Sequence, residues 1–222
     1  IRDRYNSLKF AADRITAFHL KQMPDNFDYL DEAEVKMGMR WSSVDSVGLY
    51  VPGGTASYPS SVLMNAIPAK VAGVPRRVIT VPQTREAINP LVLAAAKLSG
   101  VQEVYRIGGA QAIAALAYGT ETVSSVDKIV GPGNAYVAAA KKLVYGVVGI
   151  DSIAGPSEIL IVADKFNDPK WIAYDLLAQA EHDEVARSIL ITDSEKFSGQ
   201  VMNAVDEILV LLQRSQICLL YT

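Results

Sequence analysis

The feature that most constrains how this chain can fold is a repeated order: a short β-rich run, a glycine turn, then a helical segment with readable ends. Residues 47–51 read as a strand and run into Pro52-Gly53-Gly54. Residues 61–72 read as a helix closed by Gly73, with Pro68 as a candidate kink. After a strand at 78–81, Asn89-Pro90 supplies an N-cap and a proline at the first helical position, and Gly100 closes that helix. Residues 104–107 lead through Gly108-Gly109 into an Ala-rich helix ending at Gly119. Residues 128–130 lead through Gly131-Pro132-Gly133 into a helix from Asn134 to about Tyr145. Further strands at 159–162 and 188–191 bracket a helix begun by Asp168-Pro169. Strands alternating with helices of this length need crossover connections and a mostly parallel sheet. Right-handed crossovers then make an α/β, Rossmann-like, doubly wound architecture the expected fold. The first forty residues break the pattern: a helix from Tyr5 to about Gln22 leads into a polar stretch of connecting or docking character.

The chain has 222 residues, 50% of them apolar and 20% charged, with net charge -3, which fits a globular protein rather than a disordered one. It also excludes a broad nucleic-acid footprint, which needs clustered Lys and Arg. Arg76-Arg77 and Lys141-Lys142 read as ordinary surface charge. The single cysteine, Cys218, cannot form an internal disulfide, and the longest apolar stretch, residues 136–150, is interrupted by Lys141, Lys142, Gly146 and Gly149. No signal peptide opens the chain, and its first residue is Ile1 rather than Met, so the natural start is expected upstream. A cytoplasmic location is expected, or a plastid one if a leader has been lost.

In a parallel sheet the carboxyl ends of all strands lie on one edge, so the three glycine turns should line one crevice. Helix N-termini there would offer free N–H groups and a partial positive charge to the phosphates of a nucleotide. The alternative is that each glycine merely makes a tight turn. The usual dinucleotide fingerprint is absent, since Gly131-Pro132-Gly133-Asn134-Ala135-Tyr136 has tyrosine where a third glycine should stand, and there is no GxxxxGK[ST].

Gln179-Ala180-Glu181-His182-Asp183 ends the apolar stripe of the helix begun at Asp168. Gln179 and His182, three apart, share a helix face, and an amide oxygen with an imidazole nitrogen can supply two metal ligands. Zinc needs about four, so the pair would require others. Alternatively the cluster is a solvated helix end with His182 complementing the dipole. Asp151 and Glu158 flank a Gly-Pro-Ser turn and could bind a polar substrate or simply cap that turn. His19 reads as a surface residue of the first helix.

Taken together, five motifs resemble histidinol dehydrogenase. They are Tyr50-Val51-Pro52-Gly53-Gly54, the run from Ile107 to Ala114, Gly131-Pro132-Gly133-Asn134-Ala135-Tyr136-Val137, the run from Gly149 to Leu160, and Gln179 to Asp183. They follow the family's order and approximate spacing, from about Ala12 to about Ser194. The resemblance implies a two-step, NAD-linked and zinc-dependent oxidation of L-histidinol through L-histidinaldehyde to L-histidine, by a homodimer. It implies that Tyr50, Gln111 and Asn134 contact NAD, that Ser157 contacts substrate, and that Gln179 and His182 ligate zinc beside the substrate. The zinc would grip the substrate's imidazole and amino nitrogens and so orient it.

The resemblance further implies interleaved domains: residues 48–158 as the NAD-binding unit, and 1–47 with 159–213 as an incomplete second unit facing it across a cleft. Residues 214–222 form an atypical apolar tail, expected to arise from a truncated or misread frame. The family's Glu-His acid–base pair and two remaining zinc ligands, an Asp and a partner subunit's His, have no counterpart before Thr222, so this chain is expected to be inactive by itself. Two other readings stand: a relative oxidising another small alcohol, and a non-catalytic nucleotide-binding remnant.

Overall fold

The computed structural model describes residues 2–53, 58–82, 88–155, 157–181 and 186–212. Within them the chain divides into two compact units, one up to Ala154 and the other from Gly155 onward.

The first unit opens with helix α1 (Arg2–Leu20), followed by an antiparallel hairpin, β1 (Phe27–Leu30) with β2 (Lys36–Met39). The stretch expected to have connecting or docking character contains two strands. Both are exposed along their whole length, so no buried face imposes the period-two alternation by which strands are read from sequence. The rest of the unit is a run of βα pairs: β3 (Ser46–Tyr50), α2 (Pro59–Val71), β4 (Arg76–Thr80), α3 (Pro90–Leu98), β5 (Glu103–Tyr105), α4 (Gly109–Tyr118), β6 (Lys128–Val130), α5 (Ala135–Val144) and β7 (Gly149–Ile150). The five strands β3 to β7 form a wholly parallel sheet in the order β5-β4-β3-β6-β7. The chain winds outward from β3 to β5, returns to β6 beside β3, and continues outward to β7. That is the doubly wound arrangement, with its switch point between β3 and β6.

Side-chain alternation along β3 sorts the two layers. Val47, Leu49 and Val51 pack with α2, α3 and Ala12 of α1, while Tyr50 packs with α4, α5 and Ile129 on the other face. Gly48 points to that second face, where a Cβ would meet the Leu116 side chain at 2.8 Å. Residues before Gly48 thus belong to the first unit, where α1 covers α2 and α3 through Leu8, Ala11, Ala12 and Ile15. Helix starts follow the local chemistry. Asn89 caps α3 by accepting from the Leu91 N–H at 2.9 Å, and Asn134 caps α5 by accepting from the Val137 N–H at 3.1 Å. Pro68 does not interrupt α2, which runs on to Val71.

The second unit contains β8 (Glu158–Val162), α6 (Pro169–Ala180), β9 (Arg187–Ile191) and α7 (Glu195–Leu209). β8 and β9 pair in parallel, with α6 as the crossover. Phe197, Val201, Ala204 and Ile208 recur at helical spacing and bury one face of α7 against Ile172, Ala173 and Leu177 of α6. Asp168 and Ser194 cap the two helices through the N–H groups of Lys170 and Phe197. Among the described residues, no helix is long and apolar enough to cross a membrane.

Candidate functional site

The glycine turns after β3, β5 and β6 begin on one edge of the five-stranded sheet, because those strands are parallel; Gly54 of the first lies outside the described residues. Pro82, just past β4, ties two of them together: a Cβ on Gly53 would lie 3.2 Å from its ring, and one on Gly108 would lie 2.6 Å from it. At the switch point the fit is closer still. Gly131 has φ +114°, and a Cβ there would lie 2.2 Å from the carbonyl oxygen of Tyr50. Only glycine lets the exit of β6 pass the end of β3 this closely.

Tyr50 is 4% exposed, and its hydroxyl accepts a hydrogen bond from the Gly109 N–H at 3.0 Å. One side chain on β3 therefore fixes the first residue of α4, a helix whose N-cap, Gly108, has no side chain to offer. Gln111 lies in the first turn of α4 and is exposed, with its Oε1 3.0 Å from where a Gly109 Cβ would stand. Asn134 is exposed at the start of α5, its Oδ1 spent on capping. The three residues expected to contact NAD thus lie along one edge, two of them at helix N-termini, where the backbone favours anions.

A pair that sequence reasoning missed holds this edge together. Lys141 is 3% exposed, not a surface charge, and its ammonium donates to the carbonyl of Gly131 at 3.1 Å and to the Asp151 carboxylate. Asp151 also accepts from the N–H groups of Gly131 at 2.8 Å and Ser152 at 2.7 Å. Burial would raise the pKa of Asp151, but hydrogen bonds from Lys141, Gly131 and Ser152 outweigh it and hold the carboxyl below its ordinary range. The signal for Lys141 was its register: Val137, Ala140 and Val144 put position 141 on the buried stripe of α5. A lysine there must find a partner.

Arg76 is likewise not free surface charge. It pairs with Glu103 at 2.7 Å and donates to the carbonyls of Ser124 and Ser125, and Glu103 in turn accepts from the Tyr105 hydroxyl. Arg77 donates to the carbonyls of Val74 and Gly100. Both arginines sit where β4 begins, at the end of the strand opposite the crevice.

In the second unit the structure brings Ser157 and Gln179 together. Gln179, one residue before the end of α6, donates through its Nε2 to the Ser157 carbonyl at 3.4 Å, a long contact. It engages the nitrogen, which cannot ligate a metal, and leaves Oε1 as the atom of that side chain able to do so. His182 lies outside the described residues, and α6 ends at Ala180. Among the described residues no group of three or more His, Cys, Asp or Glu side chains could hold a metal. The donor types, amide oxygen with imidazole nitrogen, suit zinc only as part of a larger set. Glu158 pairs weakly with Arg187 at 3.7 Å, both exposed, and Pro156 of the turn between Asp151 and Glu158 lies outside the described residues.

Comparison with known proteins agrees with these motifs. The family model for histidinol dehydrogenase matches residues 2–220, which takes in most of the stretch after Gln213. "Histidinol dehydrogenase 1" of Nostoc sp. is 64% identical over 211 residues, covering 95% of this chain and 49% of the relative. The histidinol dehydrogenase of Rhodospirillum rubrum is 65% identical over 212 residues, 96% of this chain and 49% of the relative. The chain thus spans about half the length of the curated relatives it matches. The crystal structure of histidinol dehydrogenase from Elizabethkingia anophelis superposes with a TM-score of 0.89 at 36% identity, covering 98% of this chain and 54% of that one. By its parallel sheet, its glycine-lined switch point and these matches, the chain belongs to the histidinol dehydrogenase family of oxidoreductases.

Proposed function

We propose that this chain carries the NAD-binding unit and part of the zinc and substrate shell of an enzyme that oxidises L-histidinol through L-histidinaldehyde to L-histidine, the last steps of histidine biosynthesis. The observation that carries the reading is the crevice edge itself: a buried tyrosine hydroxyl bound to the first N–H of α4, beside a loop where only glycine fits. Such an edge, with helix N-termini at a switch point, is suited to a dinucleotide. On this reading Tyr50, Gln111 and Asn134 hold NAD, Ser157 contacts the substrate, and Gln179 and His182 supply two zinc ligands.

NAD held by Tyr50, Gln111 and Asn134 would supply the hydride acceptor, and zinc held in part by Gln179 and His182 would supply a centre that orients the substrate. The chain's own residues bind and orient. Tyr50 keeps α4 in register with β3, and Gln111 stands at the mouth of that helix. Gln179, with its nitrogen on Ser157, presents its amide oxygen. Each oxidation also needs a base for the alcohol or hydrate proton, which the proposal assigns to the family's Glu-His pair in the whole protein, as it assigns the remaining zinc ligands and the homodimer. A cytoplasmic setting is proposed with it, since a single cysteine requires no oxidising compartment.

The test is rescue of a histidine auxotroph by the full-length gene, with NADH formation from L-histidinol and zinc content measured on its product. Rescue with stoichiometric zinc is expected. A folded, zinc-free product that neither rescues nor forms NADH refutes the reading and favours a non-catalytic remnant. NADH formation only from another alcohol favours a relative of different specificity. The 222-residue chain should bind NAD+ without turnover, and turnover near that of the full-length enzyme would refute the assignment of the acid–base pair elsewhere.

A further inference from the structure

The pair formed by Lys141 and Asp151 holds both backbone polar groups of a single residue, Gly131: the ammonium takes its carbonyl and the carboxylate takes its N–H. The ladder explains why a side chain is used. The Asp151 N–H donates to the Ile129 carbonyl at 3.2 Å, so β6 and β7 remain paired to that point. In a parallel ladder the next bond would run from the Gly131 N–H to the main-chain carbonyl of residue 151. The carboxylate of Asp151 takes that N–H instead. The chain can then leave the sheet at Gly131, with φ +114°, while its peptide stays as firmly held as in a strand. Three residues later Asn134 caps α5. The clamp therefore fixes where the β6–α5 loop crosses the switch point, and hence where the N-terminus of α5 is presented. Lys141 is buried and the pair is neutral as a unit, so it does not attract a ligand by its charge.

We propose that Lys141 and Asp151 are positioning residues that set the β6–α5 loop for the nucleotide. This rests on the proposed NAD site. Because one uncompensated buried charge could unfold the unit, the informative variant is the double one, Lys141→Met with Asp151→Val, which removes both charges and leaves no side-chain acceptor for the Gly131 N–H. Two quantities are read on the 222-residue chain: amide hydrogen exchange and NAD+ affinity by titration calorimetry.

The expected result is exchange at Gly131, Gly133 and Asn134 faster by about 100-fold with β3 amides unchanged, and NAD+ affinity weaker by about tenfold or more. A double variant that folds, with loop exchange and NAD+ affinity as in the parent, overturns the proposal, since a purely stabilising pair would leave both unmoved once its charges are removed together. A variant with a freed loop and unchanged affinity also overturns it, by severing the loop from the nucleotide. A parent chain that does not bind NAD+ refutes the proposed NAD site instead, and the exchange result then still decides whether the pair holds the loop.

Discussion

Replacing Gly131 with alanine tests the switch-point geometry directly. The new Cβ would lie 2.2 Å from the Tyr50 carbonyl oxygen, with the carbonyl carbon at 3.1 Å and the amide nitrogen at 3.2 Å. That oxygen contact is about 1 Å closer than carbon–oxygen approaches normally allow. Both sides of the clash are backbone, so no rotamer change relieves it; the exit of β6 must move away from β3 or the strands must part. Placing a non-glycine residue at φ +114° costs about 1–2 kcal/mol by itself. Forced displacement in a packed region adds about 1–3 kcal/mol. The sum, about 2–5 kcal/mol, is a large share of the 5–15 kcal/mol typical of whole domains.

Gly146→Ala is the matched control. Its φ is +100°, but a Cβ there meets nothing within 4 Å, so it isolates the torsional cost of about 1–2 kcal/mol. The assay is urea dependence of amide exchange in peptides covering β3, which reports the first unit without mixing in the second. Gly131→Ala should lower the midpoint clearly more than Gly146→Ala, and should also expose the Lys141–Asp151 clamp to exchange. Equal effects of the two substitutions would show that β6 does not cross β3 at contact distance.

Other consequences follow from the same contacts. Tyr50→Phe leaves the Gly109 N–H without its 3.0 Å acceptor and should cost about 1 kcal/mol. It should also weaken NAD+ binding with little change in the sheet, as measured by thermal unfolding beside calorimetric titration. Asp151 has a carboxyl held below its ordinary range, so its stabilising contribution is present above the unfolded-state pKa and is lost as pH falls through the folded value. Stability of the first unit should therefore decline from roughly pH 4 downward, and in the double variant Lys141→Met with Asp151→Val that part of the acid limb should be absent from urea midpoints taken across the range. Ser194→Ala removes the cap on the Phe197 N–H and should destabilise α7 by about 1 kcal/mol, read by exchange of its first turn. On the proposed metal assignment, Gln179→Ala in the full-length protein should lower zinc affinity by at least about tenfold, measured by competition with a chromophoric chelator; unchanged affinity would remove Gln179 from the ligand set.

What could be read from the sequence divides along a physical line. Elements whose ends are set by local chemistry were legible: Asn89-Pro90, Asp168-Pro169 and the glycines at 73, 100 and 119 announce helix ends through bonds made within a few residues. The parallel order of the large sheet followed from the alternation itself. The hairpin of β1 and β2 was not legible, because a strand pair exposed on both faces carries no burial pattern. The two-residue strand β7 is too short to carry one. The candidate crevice divides in the same way. Gly108, Gly109 and Gly131 were visible as turns, but the reason Gly131 must be glycine is the carbonyl of Tyr50, 81 positions earlier in the chain.

Lys141 marks the same limit from the other side. Composition counts it as one more cation, and its neighbour Lys142 is indeed exposed. Its place on the apolar stripe of α5 was in the sequence all along, yet that register implies only that a partner exists. Which partner depends on β7 emerging beside β6, so that Asp151 arrives next to Gly131. A buried lysine on a helix behind a glycine turn is thus a cue to search the following strand end for a carboxylate. Here that search leads to a pair holding the loop at the switch point, where the strand order reverses and doubly wound folds bind their ligands.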